Sequence, residues 1–337
     1  GPADILAQPI PRSISQAASI MKRHSVALLM TICVVSLLSS SLSHAAVSGD
    51  FTYTDRGDTI TITRYNGTGG DIIIPDTIDG KPVTTIGSYA FMDKVKKNST
   101  LTLPSTLTTI GDKAFRGCSG FTGTLTLPST LAGIEDSAFW DCSGFSGSLV
   151  IPEGVTTIEC GAFYNCSGFT GTLTLPSTLT TIGTYAFSGC SGFTGTLTLP
   201  STLTTIEGGA FAGCDGFTGS LTIPEGVTSI GSGAFYGCSG FDGTLILPST
   251  LTTIGGGAFG GCDGFTGALT IPEGVSTIGE HAFSNCSGFS GALTIPEGVS
   301  TIGEQAFSNC SGFSGTLTLP STLTEIGNGA FYSCYGF

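Results

Sequence analysis

A β-rich solenoid of stacked repeats is the fold this chain predicts, and three observations predict it. Ten cysteines, Cys118 to Cys334, stand at one unbroken step of 24 residues. Two phenylalanine series, Phe115 to Phe331 and Phe121 to Phe337, and a proline series, Pro104 to Pro320, keep the same step. Charged residues make up only 10% of the chain and Gly is 52 of 337, a composition compatible with disorder were the apolar spacing not so strict. A fixed period of this length means that no unit can bury its apolar face alone, so each must stack on its neighbours.

The elements follow in order. Residues 1–20 lack Met and precede a complete export signal, so they read as an upstream or expression-derived stretch. Residues 21–45 carry that signal: Lys22, Arg23 and His24, an apolar run from Val26 to Leu38, and the small-residue cleavage site Ser43-His44-Ala45. The apolar run is short for a membrane span, so the mature chain is expected to be exported without inserting. Residues 46–84 alternate apolar and polar positions around an Asp55–Asp58 turn and are expected to form an N-terminal β cap merging into an irregular first repeat. Residues 85–337 are tandem 24-residue repeats that stop in mid-repeat, as in a fragment open at its C-terminus.

Within one repeat, Leu125 and Leu127 alternate with Thr124 and Thr126 as a half-buried strand. Pro128 ends that strand, since it has no donor and a fixed φ. The turn it opens reads Pro-Ser-Thr-Leu in six repeats and Pro-Glu-Gly-Val in four. A second extended piece carries Leu131 and Ile134. Ala138 and Phe139 then predict one helical or 3₁₀ turn with Cys142 on the same side, before Phe145 re-enters the core. Cys118, Cys142, Cys166 and Cys190, with Phe115, Phe139, Phe163 and Phe187, are the expected core ladder.

The pattern Leu-x-Leu-Pro-x-x-Leu-x-x-Ile-Gly-x-x-Ala-Phe-x-x-Cys, repeated over eleven Ala-Phe units from Phe91 to Phe331, resembles the leucine-rich repeat of bacterial BspA-like surface proteins. That resemblance implies a leucine-rich-repeat solenoid, a right-handed β/α superhelix that is β-rich. A parallel sheet would lie on one face and short helical or 3₁₀ turns on the other. It also implies a secreted or cell-surface protein of bacteria that adheres to matrix or plasma proteins or co-aggregates cells. Two departures stand out: a Gly-Phe-Thr-Gly segment lengthens the repeat, and basic residues are absent over most of the array.

Charge excludes one partner class. From Gly117 to Phe337 there is no Lys or Arg against fifteen Asp and Glu, a surface that repels nucleic acid and anionic lipid. Catalytic and metal chemistry find little support. Cysteines stacked in register, roughly 5 Å apart by strand spacing, point the same way and suit a thiol-filled apolar slot better than disulfides. No Cys-x-x-Cys occurs, so zinc lacks a ligand set. Cys160, off the ladder, is the one thiol expected at the surface. His281, the only histidine after the signal, has Gln305 as its counterpart in an otherwise identical repeat, which argues against a general base. Glu153, Glu225, Glu273 and Glu297 occupy Pro-Glu-Gly-Val turns and read as solvated, since calcium asks for six to eight converging oxygens. No cofactor is expected, and no enzyme.

What remains is a hydroxyl-rich strand face. Thr172, Thr174, Thr196, Thr198, Thr222, Thr270, Thr294, Thr316 and Thr318 flank buried leucines and form the candidate binding face for an extracellular protein or glycan. Two further readings compete with it. The repeats could be a stalk presenting a C-terminal domain beyond Phe337, or the Thr ladder could bind ice. Ser, Val150 and Ile246 interrupt that ladder.

Overall fold

The structure, a computed structural model, describes residues 45–337. It begins with three strands, β1 (Ala45–Ser48), β2 (Phe51–Asp55) and β3 (Ile60–Tyr65), paired antiparallel in sequence order. Arg56 N donates to Thr59 O at 2.9 Å and closes the turn between β2 and β3. Next come β4 (Asp71–Ile73), β5 (Thr77–Ile78) and β6 (Lys81–Ile86). The segment expected as a cap does not form a layer of its own. β3 pairs in parallel with β6, and β6 with Thr109–Ile110, so the hairpin and the first repeats share one sheet. The reason is the pattern of β3: Ile60 and Ile62 are fully buried and face the same core as Val83 and Ile86.

Two parallel ladders run along the repeats, and they differ. The Thr-Ile ladder joins Thr157–Ile158 to Glu325–Ile326 as eight strands in strict 24-residue register. Its isoleucines, Ile158 to Ile302, are at most 2% exposed. The Leu-x-Leu strand expected from the sequence forms only in couples of rungs: Asp71–Ile73 with Thr100–Thr102, Leu149–Val150 with Leu173–Thr174, Leu221–Thr222 with Leu245–Ile246, and Gly291–Thr294 with Phe313–Thr318. The rungs of Leu125, Leu197 and Leu269 lie between couples with no paired strand at this register.

The third side of each rung corrects an expectation. No helix forms in the described residues, and the Ala-Phe segment is a string of turns. Its amide protons alternate between two destinations. Ala114, Arg116 and Cys118 N donate three residues back within the rung, while Lys113, Phe115 and Gly117 N donate to Asp136, Ala138 and Trp140 O of the next rung. A helix needs successive amides to bond within the segment, and here every second one is spent on the neighbour. The alternation puts two residues per rung at positive φ, such as Lys113 (52°) and Gly117 (71°) or Ser137 (55°) and Asp141 (57°).

Between these sides the core is a pair of aromatic columns. Ring centroids from Phe91 to Phe331 stand 4.7 to 5.5 Å apart, and Tyr65 stacks below Phe91 at 4.9 Å. The second column, Phe121 to Phe337, meets the first edge-on, as at Phe187–Phe193. Such offset and edge contacts add to the area that each ring buries. Cys118, Cys142, Cys166, Cys190, Phe115, Phe139, Phe163 and Phe187 are all at 0% exposure.

Candidate binding face

The thiols have a partner that residue type alone does not reveal. In all ten ladder cysteines Sγ donates to a phenylalanine carbonyl 27 residues earlier, from Cys118 to Phe91 O (2.9 Å) through Cys334 to Phe307 O (2.9 Å). Each sulfur thus packs in an apolar slot and ties its rung to the one before. Burial pushes the thiols of Cys190, Cys238 and Cys286 up to about 12 and that of Cys118 to about 11, so they stay protonated and unreactive near neutrality. Cys160 is exposed. Partial burial, then the charges of Asp136 and Glu159, push its thiol up as well. Among the described residues no cluster of His, Cys, Asp and Glu is placed to hold a metal ion, and no helix is long and apolar enough to cross a membrane.

The nine sequence-selected threonines are all exposed, because each alternates with a leucine that points inward. The structure does not place them on one continuous sheet. Thr172 is tied to the preceding rung, its amide and hydroxyl both donating to Ser148 Oγ (3.0 and 3.2 Å). Thr294 and Thr318 pair directly across a couple. Thr174 and Thr222 sit beside Val150 and Ile246, which are 56% and 50% exposed. Thr270 stands in an unpaired rung, and Thr316 lies where the register of the last couple shifts. Thr196, Thr198 and Thr222 are the three brought together around a cavity. Between the unpaired Leu197 rung and the first rung of the next couple, a cleft of about 450 Å³ opens, lined by Leu197 and Leu199 and edged by Glu225.

Sequence reasoning missed the residues that create the couples. In each, a turn carboxylate of the first rung accepts from a turn serine of the second. Ser177 N and Oγ donate to Glu153 Oε2 (3.0 and 2.7 Å), Ser249 to Glu225 (3.0 and 2.8 Å), Ser321 to Glu297 (3.0 and 2.8 Å), and Ser105 to Asp76 (2.6 and 3.1 Å). The adjacent threonine bridges two carbonyls of the same turn, as Thr178 Oγ1 does to Glu153 O (2.5 Å) and Val155 O (3.0 Å). These charge-assisted bonds hold the carboxyls of Glu153 and Glu225 below the usual range, the serine hydroxyl being the main cause and its amide the second. The signal was the order of the two turn types: a Pro-Glu-Gly-Val rung followed by a Pro-Ser-Thr-Leu rung makes a clasp. Glu273 is followed by Glu297 and makes none.

Parallel rungs with inward leucine, isoleucine and phenylalanine define a leucine-rich-repeat β-solenoid of about eleven turns. The BspA type leucine rich repeat region, in six copies, matches residues 84–218, 157–290 and 215–337, and the chain belongs to that family. Among solved structures it is similar to a leucine-rich repeat protein from Bacteroides ovatus (25% identity, 87% of this chain and 93% of that one, TM-score 0.49). A leucine rich cell surface protein from Faecalibacterium prausnitzii is 25% identical over 89% of this chain and 100% of its own, with a TM-score of 0.38. The pneumococcal vaccine antigen PcpA is 18% identical over 88% of this chain and 87% of that one, with a TM-score of 0.49. No curated protein matches this chain.

Proposed function

We propose that this protein is a non-catalytic, cell-surface or secreted binding protein that engages an extracellular macromolecule through its threonine face. The observation that carries the reading is the cleft at Thr196, Thr198 and Thr222, a recess of hydroxyls and leucines with one carboxylate, Glu225, at its edge and the exposed Ile246 on the next rung. Similarity to a leucine rich cell surface protein supports the location, as does the sequence of the export signal expected at residues 21–45, which lies almost wholly outside the described residues. A face of hydroxyls and single aliphatic side chains suits a protein or glycan partner, and its energy would come from area and hydrogen bonds, not from ion pairs. Repetition adds avidity, because several weak equivalent contacts can act together.

Binding to arrays of matrix proteins, plasma proteins and glycans across salt concentrations tests this. Saturable, salt-resistant binding that falls tenfold or more in Thr198→Glu/Thr222→Glu, with unchanged melting, is the expected result. Silence from the folded chain would overturn it and favour a spacer, to which the near-identical rungs 268–291 and 292–315 are equally suited.

A further inference from the structure

The outer edge of the Ala-Phe turns is not uniform. One rung, Gly255 to Gly261, presents no side chain there: Gly256 and Gly257 line the open space, and Gly260 is buried against Tyr236. On one flank stands Tyr236, 56% exposed, its ring lying over the bare rung: a Cβ at Gly260 would sit 3.1 Å from it. On the other flank are Glu280 and His281, with Asn285 and Gln305 beyond them. The result is a groove of about 470 Å³, two rungs wide from wall to wall, or about 10 Å by parallel strand spacing.

The lining has a definite chemistry. One wall is an aromatic face with no partner ring in the next rung. The other offers a carboxylate, an imidazole and amides. Asn309 Nδ2 donates to Asn285 Oδ1 at 2.9 Å, which orients that amide. The side chains of Glu280, His281 and Gln305 make no hydrogen bond among the described residues. An anionic ligand would meet Glu280 in a region with no Lys or Arg after Arg116. A lipid chain would strip water from the polar wall without replacing its hydrogen bonds. A ligand with an apolar C–H face and a rim of hydroxyls meets both walls, and such pockets are where small ligands bind.

We propose that this groove binds a neutral saccharide, with Tyr236 stacked on a pyranose ring and Glu280, His281, Asn285 and Gln305 bonding its hydroxyls. It shares no residue with the threonine face and stands independently of it.

Two variants test the assignment. Tyr236→Ala removes the platform. Gly260→Tyr fills the groove on the precedent of Trp140 and Tyr164, which stack at this register in consecutive rungs with centroids 3.9 Å apart. The full chain is titrated with maltose, cellobiose, lactose and diacetylchitobiose, with sialyllactose as the acidic control, by saturation-transfer NMR and calorimetry. The expected result is binding of at least one neutral disaccharide, weakened tenfold or more in each variant, with unchanged affinity in Thr198→Glu/Thr222→Glu and none for sialyllactose. No binding by any neutral sugar, binding that survives Tyr236→Ala, or equal binding of sialyllactose would overturn it. Tyr236→Ala alone decides the matter should Gly260→Tyr fail to fold.

Discussion

A buried thiol can be a reactive group or a packing group, and the ladder from Cys118 to Cys334 is built for packing. Its sulfurs fill apolar slots and donate to carbonyls of the preceding rung at 2.9 to 3.1 Å. Cys214→Ala removes a buried sulfur and its bond to Phe187 O, and should cost on the order of 1–2 kcal/mol. Cys214→Ser keeps a donor and should cost less; chemical denaturation of the three proteins checks the order. The burial of these residues was legible in the sequence, since one period placed Cys and Phe on the inner side of every rung. Their bonding was not, because the acceptor is a backbone atom of another rung and leaves no mark on residue type.

The turns show where local reasoning loses to neighbours. Ala-Phe-x-x-Cys has helical spacing, yet half its amides bond across rungs, and the segment becomes a chain of turns with positive φ at regular places. A readable signal existed: Gly, Asn, Asp or Ser recur four residues apart at most of those positions, as Gly233 and Gly237 do. The clasps were legible in the same way, as an order of turn types, but a single repeat viewed alone hides it. Both Glu153 and Glu225 titrate below their ordinary value in the fold, so the clasps are present above the unfolded carboxyl range and fade as pH falls through the lowered values. Denaturant midpoints should therefore drop on acidification below about pH 4.5. In Glu153→Gln/Glu225→Gln that drop should shrink, and an unchanged pH profile would remove the clasps from the explanation.

Across the whole molecule each rung touches only its neighbours, so stability is a chain of interfaces. The thiols make that chain sensitive to alkali. Their folded values are raised, so the stability they contribute is complete below the unfolded thiol value and is lost as pH climbs toward about 11 to 12. Each such thiol adds a slope of about 1.4 kcal/mol per pH unit within that window. Urea midpoints should fall steeply between about pH 9 and 11, and Cys190→Ser/Cys238→Ser/Cys286→Ser should flatten the fall. The threonine cleft and the glycine groove were only partly legible at this scale. The periodicity named the exposed threonines, but where strands fail to pair, and where a bare rung meets a tyrosine, depends on differences between repeats that the period averages away.

Those differences also give the array a phase. Clasps recur every third rung, at Glu153, Glu225 and Glu297, with Asp76 in step one insertion earlier. Excising the Ser201 rung leaves all four clasps intact, and excising the Ser177 rung brings Ser201 to Glu153. Excising the Ser249 rung instead brings Glu225 against Glu273, the carboxylate pairing that already occurs where Glu273 precedes Glu297. A solenoid of equal rungs could lose any one of them at the same cost, but here the cost depends on which rung is lost.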